Sequence, residues 1–175
     1  MEVHLGFGSR LDLDYGRGGT PRRMRWPLPP FLFLVLVLLD GTLGAALQPG
    51  WGRFRLRLLC GLGLLLGGLA LSVWGKRTFQ RARTNVPTFG EPTRLVDHGP
   101  FAHTRNPMYL GFALALVGVS LVGGTVWGFT CPLLFLLVSA RVYIPFEEQR
   151  MMQAFGESYV DYRRRVPRWL GRVRD

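Results

Sequence analysis

The chain alternates between charged, glycine-rich segments and apolar runs of membrane-spanning length. The first run, Pro27 to Leu47, is interrupted by Asp40 alone; at about 1.5 Å per residue it reaches across a hydrocarbon core of roughly 30 Å. A second run, Leu58 to Gly75, carries no charge, and its Gly61, Gly63, Gly67 and Gly68 leave a small surface on which another helix can pack closely. From Met108 to Ala140 there is again no formal charge. This stretch is too long for one comfortable span and is broken near its middle by Gly118, Ser120, Gly123 and Gly124. It therefore predicts two helices joined by a tight turn. The pattern predicts an all-α integral membrane protein with four transmembrane helices, at about 28–47, 58–75, 108–122 and 126–144, followed by a cytoplasmic segment, 147–175.

The segments between the runs set the expected topology. Residues 1–26 read as an N-terminal tail ahead of one membrane domain, 27–175; glycine and charge without a helical or strand period predict disorder over 1–23. Met24 opens Met-Arg-Trp-Pro just ahead of the first run, as a natural start does, so the preceding residues have an alternative reading as non-native. A cleaved signal peptide also fits Arg22, Arg23 and Arg25 before the run and Gly44, Ala45 and Ala46 at its end. Asp40 and the lack of a polar mature domain favour a retained span, with Asp40 turned into the bundle.

Lys76 to Pro107 is the longest polar connection, with Lys76, Arg77, Arg81, Arg83, Arg94 and Arg105 set against Glu91 and Asp97. By the positive-inside rule it is cytoplasmic, and so are both termini. Pro87, Pro92, Pro100 and Pro107 bar long helices here, which predicts an ordered loop packed over the embedded part. The loop Gly50 to Arg57, with Arg53, Arg55 and Arg57, falls on the opposite side and is the weak point of this topology. After Arg141 come Glu147-Glu148, then Met151, Met152 and Phe155 on a helical period, with Gly156 placed to end the helix. Tyr159, Tyr162 and the triplet Arg163-Arg164-Arg165 suit a helix lying on headgroups.

Composition modifies this reading in two respects. The net charge of +11 over 175 residues would suggest nucleic acid in a soluble protein, but 48% of the residues are hydrophobic and the basic ones lie between apolar runs. That placement points to the anionic headgroups of a lipid bilayer, and no zinc-finger spacing or RNP-like motif argues for nucleic acid. Cys60 and Cys131 both fall in apolar runs and read as packing residues. The glycine-rich faces allow helix packing within or between chains, so the oligomeric state stays open.

Candidate chemistry concentrates between His98 and Gly111, which hold two histidines, an arginine, a tyrosine and two prolines at a membrane edge. Asn106 is a good N-cap residue and Pro107 a good first helical residue, so the third span is predicted to start here. Its free amides and dipole favour an anion, and Arg105 adds a planar fork suited to carboxylate or phosphate; a headgroup anchor is the plainer role for that arginine. A hairpin returns Glu147 and Glu148 beside this helix start, but adjacent helical residues point about 100° apart, so one of them is expected to face the third span. His98 and His103 do not match a zinc spacing, and no metal site is expected. No glycine-rich phosphate loop or nucleophile elbow is present. The residues alone predict a membrane bundle with an arginine- and glutamate-lined cytoplasmic mouth.

Gly99-Pro100-Phe101, then Arg105-Asn106-Pro107-Met108-Tyr109-Leu110-Gly111, then Glu147-Glu148, Phe155-Gly156, Tyr159 and Tyr162, resemble the isoprenylcysteine carboxyl methyltransferase family and its phospholipid methyltransferase relatives. The resemblance covers Phe79 to Trp169, about half of the chain. It implies an integral membrane enzyme that uses S-adenosyl-L-methionine without a Rossmann fold. It further implies a cofactor site built from Gly99, Pro100, Phe101, His103, Asn106, Pro107, Tyr109, Gly111, Glu147, Glu148 and Tyr159, with Arg105, Tyr109 and Glu148 as catalytic candidates. A lipophilic or lipidated substrate would reach it laterally from the bilayer and accept a methyl group on a carboxylate or, second, an amine. Two residues depart from the pattern: many relatives have histidine where Asn106 stands and tyrosine where His103 stands. Alternatives of other kinds are an NADPH-dependent reductase of the steroid 5α-reductase type and a non-enzymatic membrane scaffold. If residues 1–23 are dispensable, a chain beginning at Met24 is expected to be made and inserted as well as the full one; loss of insertion measured by membrane fractionation would contradict this.

Overall fold

A computed structural model describes residues 28–47, 54–88 and 90–170. The 1–26 tail and Arg53 lie outside the described residues. Among those described there are helices and turns and no strands. Helix α1 spans Pro29–Ala46, α2 Phe54–Arg81 and α3 Pro107–Gly123. A single rod then runs from Val126 to Phe155. It consists of a 3-10 turn at Val126–Phe129, α4 at Thr130–Val138, a π-turn at Ser139–Tyr143 and α5 at Ile144–Phe155. A last short helix, α6, spans Glu157–Arg165. α1, α2 and the rod are long and apolar enough to cross a membrane, and α3, at 17 residues or roughly 25 Å, is their shorter apolar partner.

Two boundaries differ from the predicted spans. α2 begins at Phe54 and continues to Arg81, so Arg55 and Arg57 of the expected loop, and Lys76, Arg77 and Arg81 of the expected connection, are helical. Arginine and lysine are good helix formers, and their long side chains let the charge leave the apolar zone while the backbone stays helical. The rod likewise does not stop where the apolar run ends near 144. Pro145 lacks the amide that would bond back to Arg141, and its ring would press on that carbonyl. The widened π-turn over Ser139–Tyr143 absorbs both defects and lets the helix continue.

The turn between α3 and the rod lies where the glycines placed it: Gly124, at φ 67°, closes α3 in the left-handed region. Gly156, at φ 49°, likewise separates α5 from α6. Asp40 faces inward as expected, fully buried and accepting a 2.5 Å hydrogen bond from Ser120 Oγ. Cys131 is buried, but Cys60 lies on an outward face and does not pack inside the chain.

The core is built around α3. Tyr109, Ala113, Ala115 and Leu116 pack against Phe33 and Leu36 of α1 and Cys131, Phe135, Tyr143 and Ile144 of the rod. Its most extensive contact is with α2. There Gly61 and Gly68 face Gly118 and Gly111, and the backbones touch: a methyl at Gly118 would stand 2.5 Å from the Gly61 carbonyl oxygen and one at Gly61 2.8 Å from that of Gly118. Gly63 and Gly67 have nothing within 4 Å, so half of the expected packing glycines serve the seam. Gly118→Ala is expected to cost about 1–3 kcal/mol by overpacking, and Gly63→Ala to cost nothing; thermal midpoints in one detergent compare them, and equal shifts would refute the seam.

Candidate functional site

The site forms where α3 begins. Pro107 is the first helical residue and Asn106 occupies the N-cap position, but its side chain does not cap the helix. Asn106 Nδ2 instead donates 2.9 Å to the Arg168 carbonyl, and Thr104 Oγ1 donates 3.1 Å to the same oxygen. The Arg105 amide donates 2.9 Å to the Pro167 carbonyl. Three successive residues ahead of α3 are thus fastened to an extended strap that follows α6. Val166 opens that strap in the β region and Pro167 keeps it from resuming a helix.

Both glutamates of α5 face this end, but they serve different partners. Glu148 is paired with Arg105 at 2.9 Å and with Arg168, whose Nη2 and Nε lie 2.5 and 3.1 Å from the two carboxylate oxygens. Glu147 instead accepts the Tyr109 hydroxyl at 2.8 Å and the Thr88 hydroxyl on the same oxygen. The expectation that one glutamate faces the third span holds for the helix itself, which Glu147 meets through Tyr109. Glu148 reaches the loop just before it. The split follows from helix geometry, since neighbours on α5 diverge by about 100° and so address two elements. Tyr143, one turn before Glu147, stacks on Tyr109 at 6.1 Å and fixes that ring.

Arg105 is largely buried and its Nε has no hydrogen-bond partner among the described residues. A guanidinium with an unused buried donor is poised to donate to an anionic oxygen. Around it the walls are aromatic. Phe101 meets Phe79 edge-on at 4.8 Å, and Tyr162 donates 2.8 Å to the Phe101 carbonyl. Burial, and then the charge of Glu148, push the Tyr159 hydroxyl up to about 12, with Arg105 pulling against them. Burial also raises Tyr162. Both phenols therefore stay protonated through any working pH and act as hydrogen-bonding walls. α6 turns these tyrosines inward onto Met151 and Val166, with Leu95 and Phe155 beside them, so it covers the site loop where the sequence suggested an aromatic face on headgroups.

Two recesses meet here. One is a narrow cleft of ≈ 40 Å³ lined by Phe101, Arg105, Glu148, Met151, Tyr159 and Tyr162. The other is an apolar pocket of ≈ 400 Å³ between the start of α1, the last turns of α2 and the start of α3. Met108, Tyr109 and Glu147 line both. Of the residues expected at a cofactor site, Phe101, Asn106, Pro107, Tyr109, Glu147, Glu148 and Tyr159 come together with Arg105 in the cleft. Four do not. His103 is exposed, and Pro100 is buried beneath the loop turn. Gly99 provides that turn at φ 61°, and Gly111 belongs to the α2 seam. Thr88, Thr104 and Arg168 were missed. Nothing in a tail of many arginines marked which one would fold back.

Glu148→Gln is expected to loosen the strap by about 1.5–3 kcal/mol, the usual worth of a hydrogen bond to a charged group. Amide exchange at 166–170 should then quicken about tenfold or more. Unchanged protection would show that the backbone bonds hold the strap without Glu148.

Comparison with known proteins places the chain among sequence relatives. The phospholipid methyltransferase family model matches residues 56–158. A Schizosaccharomyces pombe protein-S-isoprenylcysteine O-methyltransferase is 37% identical over 76 residues, which cover 42% of this chain and 31% of that protein. Protein-S-isoprenylcysteine O-methyltransferase B of Arabidopsis thaliana is 34% identical over 80 residues, 44% of this chain and 39% of the relative. The chain thus spans about a third of the length of the curated relatives it matches. No solved structure matches it. The matched segment runs from the first turn of α2 into α6 and contains the α2–α3 seam, Arg105, Tyr109 and both glutamates; the chain belongs to the phospholipid methyltransferase family.

Proposed function

We propose that this protein transfers a methyl group from S-adenosyl-L-methionine to a carboxylate of a lipophilic substrate at the cytoplasmic face of a bacterial-type inner membrane. The observation that carries the reading is the pair of recesses sharing Met108, Tyr109 and Glu147. An aromatic-walled cleft that bears Arg105 and Glu148 and an apolar pocket between helices meet at one wall, as transfer between a charged donor and a lipid acceptor requires. Similarity to isoprenylcysteine O-methyltransferases supports the carboxylate as acceptor.

The residues of the cleft fit the cofactor's groups. Arg105, with its unused buried donor, suits the amino-acid carboxylate. Glu148 suits the cationic or hydroxyl-bearing parts, and Phe101, Tyr159 and Met151 provide flat and polarizable walls for a base. When bound, S-adenosyl-L-methionine supplies a methyl group on a sulfonium, and transfer to a carboxylate oxygen leaves a neutral thioether and a neutral ester, with no proton to move. The chain's task is therefore to orient the partners and exclude water. Tyr109, clamped by Glu147 and stacked on Tyr143, holds the wall between the compartments in place. At ≈ 40 Å³ the cleft is smaller than a nucleoside and has to widen to admit one.

Purified protein in lipid nanodiscs is expected to bind S-adenosyl-L-methionine, measured by titration calorimetry. Arg105→Ala should weaken binding about tenfold or more, as loss of a desolvated charge contact does. Absence of binding by folded wild type, or preferential binding of NADPH, would overturn the reading.

A further inference from the structure

At the rim of the apolar pocket stands an exposed cation that has no ion pair or hydrogen bond among the described residues. On α2 the pocket is lined by Leu69, Ser72, Val73 and Lys76, at spacings of three, four and seven residues, which place them on one helix face. Lys76 closes that stripe at the polar end. Its neighbours Arg77 and Arg81 fall on other faces of α2 and do not line the pocket.

The remaining polar side chains of that wall are already engaged. Ser72 Oγ donates 2.9 Å to the Met108 carbonyl, and the Thr88 and Tyr109 hydroxyls both donate to Glu147. Lys76, by contrast, has no ion pair or hydrogen bond among the described residues. Glu147 lines the same pocket, yet the two do not pair; the carboxylate is turned toward the hydroxyls of Tyr109 and Thr88. An unpaired ammonium at the rim of a pocket that is otherwise almost wholly apolar attracts one charge type and repels the other.

Resting on the methyltransferase reading above, we infer that Lys76 is a specificity-determining residue that admits lipophilic carboxylates and rejects lipophilic amines. The apolar stripe of Leu69 and Val73, with Phe112 opposite on α3, takes the hydrocarbon, and Lys76 holds the anionic head at the mouth before it reaches the wall formed by Tyr109. Lys76 does not touch the reacting atoms in this scheme. It acts on capture, so its loss changes KM far more than kcat.

The test uses full-length protein in nanodiscs and three probes with one hydrocarbon: N-acetyl-S-farnesylcysteine, its uncharged carboxamide and a farnesyl amine. Wild type is expected to bind the acid at least tenfold more tightly than the amide. Lys76→Met should erase that preference by weakening the acid alone, raise KM for methyl transfer to the acid about tenfold and leave kcat within twofold. Lys76→Arg should retain the preference, and Arg77→Met, on another face, should behave as wild type. If wild type binds S-adenosyl-L-methionine and methylates the acid while Lys76→Met does so with unchanged KM, the role of Lys76 is overturned and the methyltransferase reading stands. Equal weakening of the acid and the amide would reduce Lys76 to a packing residue and also overturn it. Preference of wild type for the farnesyl amine over the acid would overturn it in the opposite direction. Failure of wild type to bind any probe or the cofactor overturns both.

Discussion

The contact on which the site depends is the backbone seam between α2 and α3. Gly61 against Gly118 and Gly68 against Gly111 bring two helices together with no side chain between them. Such proximity suits a lipid environment, where apolar side chains gain little by leaving the bilayer and dispersion between closely fitted surfaces must supply the attraction. It also fixes where α3 starts relative to the end of α2. Ser72 hydrogen-bonds the carbonyl of Met108, the second residue of α3, and Gly75 gives Met108 and Pro107 room. Tyr109, Arg105 and the apolar pocket take their positions from that seam.

Against this frame the rod supplies acidity. Pro145 would break a regular helix, but the π-turn before it keeps the rod continuous, so Tyr143 and Glu147 both arrive at Tyr109. Arg150 then ties the same helix to the connecting loop through the Pro87 carbonyl at 2.6 Å. The two acidic side chains have different partners, Glu147 two hydroxyl donors and Glu148 two guanidinium groups. A buried carboxylate left without either would be costly. This division leaves one acid on the wall between the recesses and assigns the other to the charged cleft.

Much of this was legible in advance because it is carried by local, periodic features. Gly124 and Gly156 ended helices where the backbone needs positive φ, Pro107 opened α3, and Asp40 turned inward because lipid offers it no partner. The pairing of the 105–109 segment with Glu147-Glu148 followed from counting apolar residues through a hairpin. Asn106 shows where such reasoning stops. Its position marked a helix cap, yet the side chain bonds a carbonyl more than sixty residues away. Local chemistry offered it one partner and the fold supplied another.

By itself the sequence determined the helical membrane architecture, the positions of the turns and the stretch that would bear the chemistry, because hydrophobic period, glycine and proline act over a few residues. Tertiary structure alone decided which glycines form the seam, which arginine of a basic tail folds back to Glu148, that His103 stays outside, and that Lys76 stands at the rim of an apolar pocket with no partner among the described residues. Those outcomes depend on helix rotation and on contacts between segments far apart in the chain. A shift of one residue turns a helical side chain by about 100°, enough to move it from a cleft to the lipid.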